Sequence, residues 1–229
     1  MIVSMHQPNY APWLGYFYKI SESNLFVFLD DVQFSRGGYT NRVRIMRSGK
    51  AVWLTQPIKR SFGTCISETE FSNNDWLQRH LDTLNGAYKG SRAFSDTWPV
   101  IKNIWKHAPC DSVSTSNIFI IEALTELLEI NCRFILSSNV DTGDAKSDKR
   151  LVRILEKVAP KGSTYISGEG GAKYQSLNTF SLAGYKLSYS KYKHPKYDQG
   201  SDKFHEGLSV LDALFHAGIK STKQFIRGL

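Results

Sequence analysis

The stretch Met1–Gln33 constrains this chain more than any other. An apolar run, Ile2-Val3-Ser4-Met5, leads into His6-Gln7-Pro8-Asn9-Tyr10. Pro12-Trp13-Leu14-Gly15 follows, then a second apolar run, Leu25-Phe26-Val27-Phe28-Leu29, ends in Asp30-Asp31. The period reads as strand, polar loop, amphipathic helix (Trp13, Phe17, Ile20) and strand. Strands joined by a helix run parallel and deliver their carboxyl ends to one sheet edge, where open α/β sheets bind ligands. His6 is therefore expected beside Asp30 and Asp31 at such an edge.

The remaining strands and helices extend this to an α/β fold: a mainly parallel sheet with helices on both faces, Rossmann-like and three-layered, plus an inserted β-hairpin and a helical segment. Val43 and Ile45 alternate with Arg42 and Arg44, and Ser48-Gly49-Lys50 turns the chain into Ala51–Thr55, which predicts the hairpin. Residues 61–64 read as a loop. Residues 74–130 read as three helices: one after Asp75 whose end Gly86 weakens, one running through Pro99 as a first-turn proline, and one capped by Ser116 or Asn117. The chain is read as one domain, 1–229, in which this helical segment can form a subdomain. Cys132–Leu136, Thr164–Ile166 and Leu187–Ser190 read as strands, and a helix carries Leu151, Ile154, Leu155 and Val158. A short helical pattern follows at Tyr174–Leu177, and a last helix is stopped by Gly218.

Composition narrows the function. The 229 residues include 41% hydrophobic and 22% charged side chains, as in ordinary folded proteins. No apolar run approaches the ~20 residues of a membrane span, and no signal peptide is read at the N-terminus. Three scattered cysteines, Cys65, Cys110 and Cys132, offer neither a disulfide framework nor zinc spacing, which fits a reduced cytoplasm. A net charge of +8 favours anionic partners, and the basic residues are dispersed rather than gathered into an arm.

Several clusters have the chemistry of a site. Asn41-Arg42 and Lys59 border the hairpin, where Arg42 and Lys59 are candidate anion clamps. Ser167-Gly168-Glu169-Gly170-Gly171 follows a strand, and glycines there admit a phosphate close to backbone N–H groups. The order does not satisfy the dinucleotide fingerprint. Tyr192, His194, Tyr197 and Gln199 bring four hydrogen-bonding tips into one irregular segment. No metal-ligand set is present, although Asp30 and Asp31 allow Mg2+ held jointly with substrate phosphates.

His6-Gln7-Pro8-Asn9-Tyr10-x-Pro12-Trp13-Leu14-Gly15-Tyr16-Phe17-x-Lys19-Ile20 resembles the opening signature of the WbqC-like family. Phe28–Phe34, Asn41-Arg42, Trp53-Leu54-Thr55-x-Pro57, Tyr165-x-Ser167-Gly168, His194-Pro195-x-Tyr197-x-Gln199 and Leu208–Gly218 are similar to later parts of it, in order. Asp198 departs from a proline more usual in that loop. The resemblance implies an enzyme of O-antigen or other surface-polysaccharide biosynthesis, a transferase moving glycine or another acyl group onto the amine of a nucleotide-linked amino sugar. Its co-substrate would be glycyl-tRNA or an aminoacyl adenylate, so tRNA is an expected partner.

For that reaction His6 is the expected base, oriented by Asp30 or Asp31, with Asn9 and Asn41 donating to an oxyanion. Arg42, Lys59 and the Ser167–Gly171 turn would hold the diphosphate. Gln7, Tyr10, Trp13, Gln33, Tyr192, His194, Tyr197 and Gln199 complete the expected substrate contacts. Two other classes fit the same residues. A nucleotidylyltransferase would use the strand–His–helix turn, although His6 stands alone with Asn9 three residues on. A non-catalytic sugar- or RNA-binding protein would use the basic charge and aromatic loop.

Overall fold

A computed structural model describes residues 1–59 and 63–228. The loop expected at 61–64 therefore falls partly outside the described residues. Five strands form a parallel sheet in the order β5-β2-β1-β6-β7: β1 (Ile2–His6), β2 (Leu25–Phe28), β5 (Arg133–Leu136), β6 (Thr164–Ser167) and β7 (Lys186–Tyr189). The register pairs His6 with Phe28 on one side of β1 and Ser4 with Ile166 on the other. A separate antiparallel pair, β3 (Arg42–Arg47) and β4 (Lys50–Thr55), is the expected hairpin. Its two-residue turn holds Ser48 at φ 50° and Gly49 at φ 72°, the left-handed pair that matches strand twist.

Alternation along the strands divides the interior in two. Val3, Met5, Leu25 and Val27 pack with Ile154 and Leu155 of α5 (Ser147–Val158) and Phe180 of α6 (Leu177–Leu182). Phe26 and Phe28 point the other way. They belong to a larger core with α1 (Leu14–Ser21), α2 (Trp76–Tyr88), α3 (Phe94–His107), α4 (Val113–Leu127) and α7 (Val210–Arg227). Helices on both faces explain why β2 is apolar at every position. The helical segment shares this second core with the sheet.

Local boundaries differ from the sequence expectation at five points. Ser112, not Ser116 or Asn117, caps α4, its hydroxyl accepting Thr115 N–H at 3.2 Å; Ser116 and Asn117 are buried inside the helix. Pro99 lies in the second turn of α3, where the carbonyl it deprives of a donor belongs to the exposed Ser95 and faces water. Gly86 does not end α2, which runs on to Tyr88. The pattern at Tyr174–Leu177 is realised instead as a 3₁₀ turn over Glu169–Lys173 followed by α6. Gly218 (φ 85°, ψ 166°) kinks α7 rather than stopping it. Among the described residues no helix is long and apolar enough to cross a membrane.

Candidate functional site

From β1 the chain first builds outward through β2 to β5, then returns across the sheet to add β6 and β7 on the opposite side. The order reverses between β1 and β6, and the carboxyl ends diverging there leave a crevice, the usual ligand position in open α/β sheets. A cavity of about 650 Å3 occupies it. Its walls are His6 and Gln7 after β1, Trp13, Tyr16 and Lys19 from α1 and its approach, Ser167–Gly171 after β6, and Gln175 and Tyr192.

The loop that carries His6 into α1 is pinned from three directions. Asn117 of α4 donates to Pro8 O at 2.8 Å and Thr40 O at 2.6 Å. Tyr16 OH and Thr40 Oγ1 donate to Gln7 O and Gln7 Oε1. Ser209, which caps α7, donates to Ala11 O at 2.6 Å. Ala11 is held at φ 36°, an unfavourable value for a residue with a Cβ, which the surrounding bonds sustain. The side chains facing the cavity are thus set before a ligand arrives.

His6 Nδ1 lies 3.1 Å from Gln7 O. A carbonyl only accepts, so Nδ1 carries the proton and Nε2 keeps its lone pair. The ring packs edge-on to Tyr16 and Trp13, with centroids 4.9 and 6.1 Å away. Burial and the nearby Lys19 charge pull its pKa down to about 3, so the imidazole is neutral at physiological pH. Lys19 is 3% exposed and donates to Met5 O at 3.1 Å. Burial lowers its pKa to about 7. Sequence reasoning passed over Lys19. The available signal was its spacing: three residues after Tyr16, it falls on the buried stripe of α1.

Glycines shape the walls. A Cβ on Gly15 would come within 2.9 Å of Tyr192 Cδ1, so a glycine here lets that ring close on α1. One on Gly171 would collide with Ser167 Oγ and stand 2.6 Å from Gln175 Oε1. From the mouth an aromatic ladder runs onto the hairpin: Trp13 to Tyr39 at 5.4 Å, Tyr39 to Trp53 at 5.6 Å, with the Arg42 guanidinium 4.2 Å over Trp53.

The crevice brings together His6, Gln7, Trp13, Ser167, Gly168 and Tyr192 of the expected site residues, and leaves the others elsewhere. Asp30 and Asp31 turn away from His6 toward β5. Asp30 accepts Ser137 Oγ at 3.3 Å and Ser138 N–H at 3.1 Å, while Asp31 takes Arg150 Nη2 at 2.6 Å and the Ser137 hydroxyl. Burial raises the Asp31 pKa, but the bonds from Arg150 and Ser137 outweigh it and leave the group below the usual carboxylate range. Gln33 is exposed and bridges to Cys65. Asn9 is buried off the lining, and Asn41 donates to Gln56 O. Arg42 donates to Gly37 and Gly38 carbonyls, and Lys59 pairs with Glu70 at 2.5 Å in solvent. Tyr10 is a core residue joining His80 and Trp105.

The aromatic loop divides. Tyr192 reaches the crevice, whereas Tyr197 OH donates to Asp212 at 2.9 Å and Gln199 exchanges two bonds with the His205 backbone. His194 packs against Tyr197 and Phe204.

Known proteins agree with the motif reading. An uncharacterized protein of Mycobacterium tuberculosis (strain ATCC 25618 / H37Rv), Rv1507c, is 28% identical over 222 residues, covering 96% of this chain and 95% of the relative. No solved structure matches the chain. The model of the WbqC-like protein family matches residues 7–224, nearly the whole described fold. The chain belongs to the WbqC-like protein family.

Proposed function

We propose that this protein is a transferase of bacterial surface-polysaccharide biosynthesis that moves an amino acid such as glycine, or another acyl group, onto the amine of a nucleotide-linked amino sugar in the β1/β6 crevice. The observation that carries the reading is the juxtaposition of the neutral His6 imidazole, the Lys19 amine and the open glycine wall at the switch point. The wall gives a diphosphate room to approach backbone, since a Cβ on Gly168 or Gly170 would meet open space. The Trp13–Tyr39–Trp53 ladder offers ring faces to the base or sugar.

In this reaction the amine nitrogen forms a bond to the acyl carbonyl carbon, and the carbon–oxygen bond to tRNA or to the adenylate phosphate breaks. His6 Nε2 takes the proton that the amine loses, and the departing oxygen leaves as an anion or receives that proton. The low proton affinity of His6 has two causes, burial first and then the Lys19 charge. A ligand anion beside Lys19 offsets the second and smaller of these, which raises the basicity of His6 toward its ordinary value. Asp30 and Asp31, already committed to Ser137, Ser138 and Arg150, have no part in it.

Incubation with a panel of nucleotide-linked amino sugars and glycyl-tRNA, or glycine with ATP, should give a product heavier by one glycyl residue. Loss of that gain after RNase treatment identifies the tRNA donor; ATP dependence without RNA identifies the adenylate. His6→Ala should abolish turnover while sugar-nucleotide binding stays within a few-fold. Unchanged turnover in that variant removes His6 from the chemistry, and no mass gain with any pairing rejects the transferase reading.

A further inference from the structure

Among the described residues, the buried part of the crevice holds a cation without a carboxylate partner. An ammonium has three donors; among the described residues the hydrogen bond that Lys19 makes is the one to Met5 O at 3.1 Å, and its Nζ lies 5.7 Å from the centre of the Phe26 ring. Among the described residues no carboxylate stands within ion-pair distance of Lys19. Charges this deeply buried are ordinarily paired. The other ionisable groups on the lining are His6, Tyr16, Tyr165, Tyr174, Tyr192 and Glu169, and the single carboxylate among them, Glu169, is exposed at the rim. Gln175 Oε1 and the Tyr192 hydroxyl, both on lining residues, are buried without a hydrogen-bond partner. The Lys19 cation therefore lacks a counter-charge, and the Gln175 acceptor a donor, on the lining of one cavity among the described residues.

We infer that the crevice takes a ligand bearing an anionic oxygen group, phosphate or carboxylate, seated on Lys19 Nζ, while a hydroxyl or amine of the same ligand donates to Gln175 Oε1. This deepens the transferase reading by assigning the cation of the site: Lys19, in place of Arg42 and Lys59, which lie on the hairpin side away from the cavity. The phosphate would come from a nucleotide-linked substrate and the carboxylate from an amino acid.

Calorimetric titration of the full chain with sulfate, a tetrahedral anion standing in for phosphate, and separately with acetate distinguishes the two sources. Both probes keep a constant charge from slightly acid to alkaline pH. Ionic strength is held fixed with chloride. At slightly acid pH one or both should bind, and Lys19→Met should weaken that binding about tenfold or more, as expected for loss of a charge-assisted bond, while Lys59→Met leaves it unchanged. Sulfate preference assigns a phosphate to Lys19, and acetate preference a carboxylate. A second measurement needs no variant: the rise in Tm that the bound anion gives wild-type protein should be larger below neutrality than well above it. Failure of both anions to bind, equal binding by Lys19→Met, or a pH-independent rise in Tm overturns the inference. Glycine transfer with unchanged KM in Lys19→Met would reject this assignment and spare the transferase reading; anion binding at Lys19 without transfer to any amino sugar would do the reverse.

Discussion

The β1/β6 crevice and the β2/β5 end of the sheet treat their polar groups in opposite ways. At the β2/β5 end each group has its counterpart: Asp30 with Ser137 and the Ser138 N–H, Asp31 with Arg150 in a two-oxygen contact. At the β1/β6 end, among the described residues, Lys19 has no carboxylate and Gln175 Oε1 has no hydrogen-bond partner. Saturated polar groups hold structure together; buried groups left unsaturated cost stability and persist where a ligand completes them. The acidic pair, which looks more like chemistry in the sequence, is the structural one.

The largest effect should appear where the comparison predicts a gain. Unfolded Lys19 keeps its proton up to about 10.5, whereas the folded side chain releases it at about 7. Between those values the unfolded chain binds more protons, so this group makes stability rise with pH and is most costly below 7. The full shift corresponds to roughly 5 kcal/mol, partly offset by ~1 kcal/mol for the bond to Met5 O. Lys19→Met should therefore stabilise the protein at slightly acid pH by about 4 kcal/mol, and flatten its stability curve from neutral to alkaline pH. Denaturant unfolding across that range measures it. A destabilised Lys19→Met would mean that the charge is compensated within the fold and that the contrast fails.

The acidic corner should respond with the other sign. Asp30 is 3% exposed, and its loss in Asp30→Ala strands the Ser138 N–H and one bond of Ser137. A cost of about 2 kcal/mol follows for hydrogen bonds to a buried carboxylate. Sulfate and acetate affinity should stay within twofold, because Asp30 does not line the cavity. Urea unfolding and the same calorimetric titration supply both numbers. The linkage at Asp31 also runs opposite to that at Lys19. Its lowered pKa contributes stability that is present above the unfolded value of 3.8 and lost as the pH falls through the folded value.

Much of the fold was legible because apolar periodicity is local. The parallel unit at the N-terminus, the hairpin and the strands β5 to β7 all follow from it. The side of β1 on which a ligand would sit is not local. It depends on β6 pairing with β1 after a crossover through α5, more than 100 residues after β2, and the N-terminal unit alone gives His6 only Asp30 and Asp31 as neighbours. Lys19 escaped because a charged residue reads as solvent-facing even when its spacing puts it on the buried stripe. The loop at 192–199 misled for a related reason. Its tips look ready to bind, but Tyr197 is claimed by Asp212, a carboxylate with no exposure that also accepts Tyr88 OH at 3.0 Å. An aspartate inside the apolar run Leu208–Phe215 was the sequence sign that hydroxyl donors would be drawn to it.

The smallest effect tests the basic hairpin. Lys59 was a natural anion clamp by charge and position, yet its ammonium meets Glu70 at 2.5 Å with both side chains more than half exposed. In water such a pair gains little attraction and loses side-chain freedom in holding one geometry. Lys59→Ala should consequently leave Tm, the anion titration and any glycine transfer unchanged within error. The outcome separates local from long-range electrostatics. If the crevice recruits its ligand through the net positive field of the chain, association should slow slightly at low ionic strength and recover with salt, since exposed charges are screened beyond about 10 Å at 0.1 M. If instead affinity falls at all salt concentrations, Lys59 touches the ligand, and the bound state must bring the hairpin over the crevice.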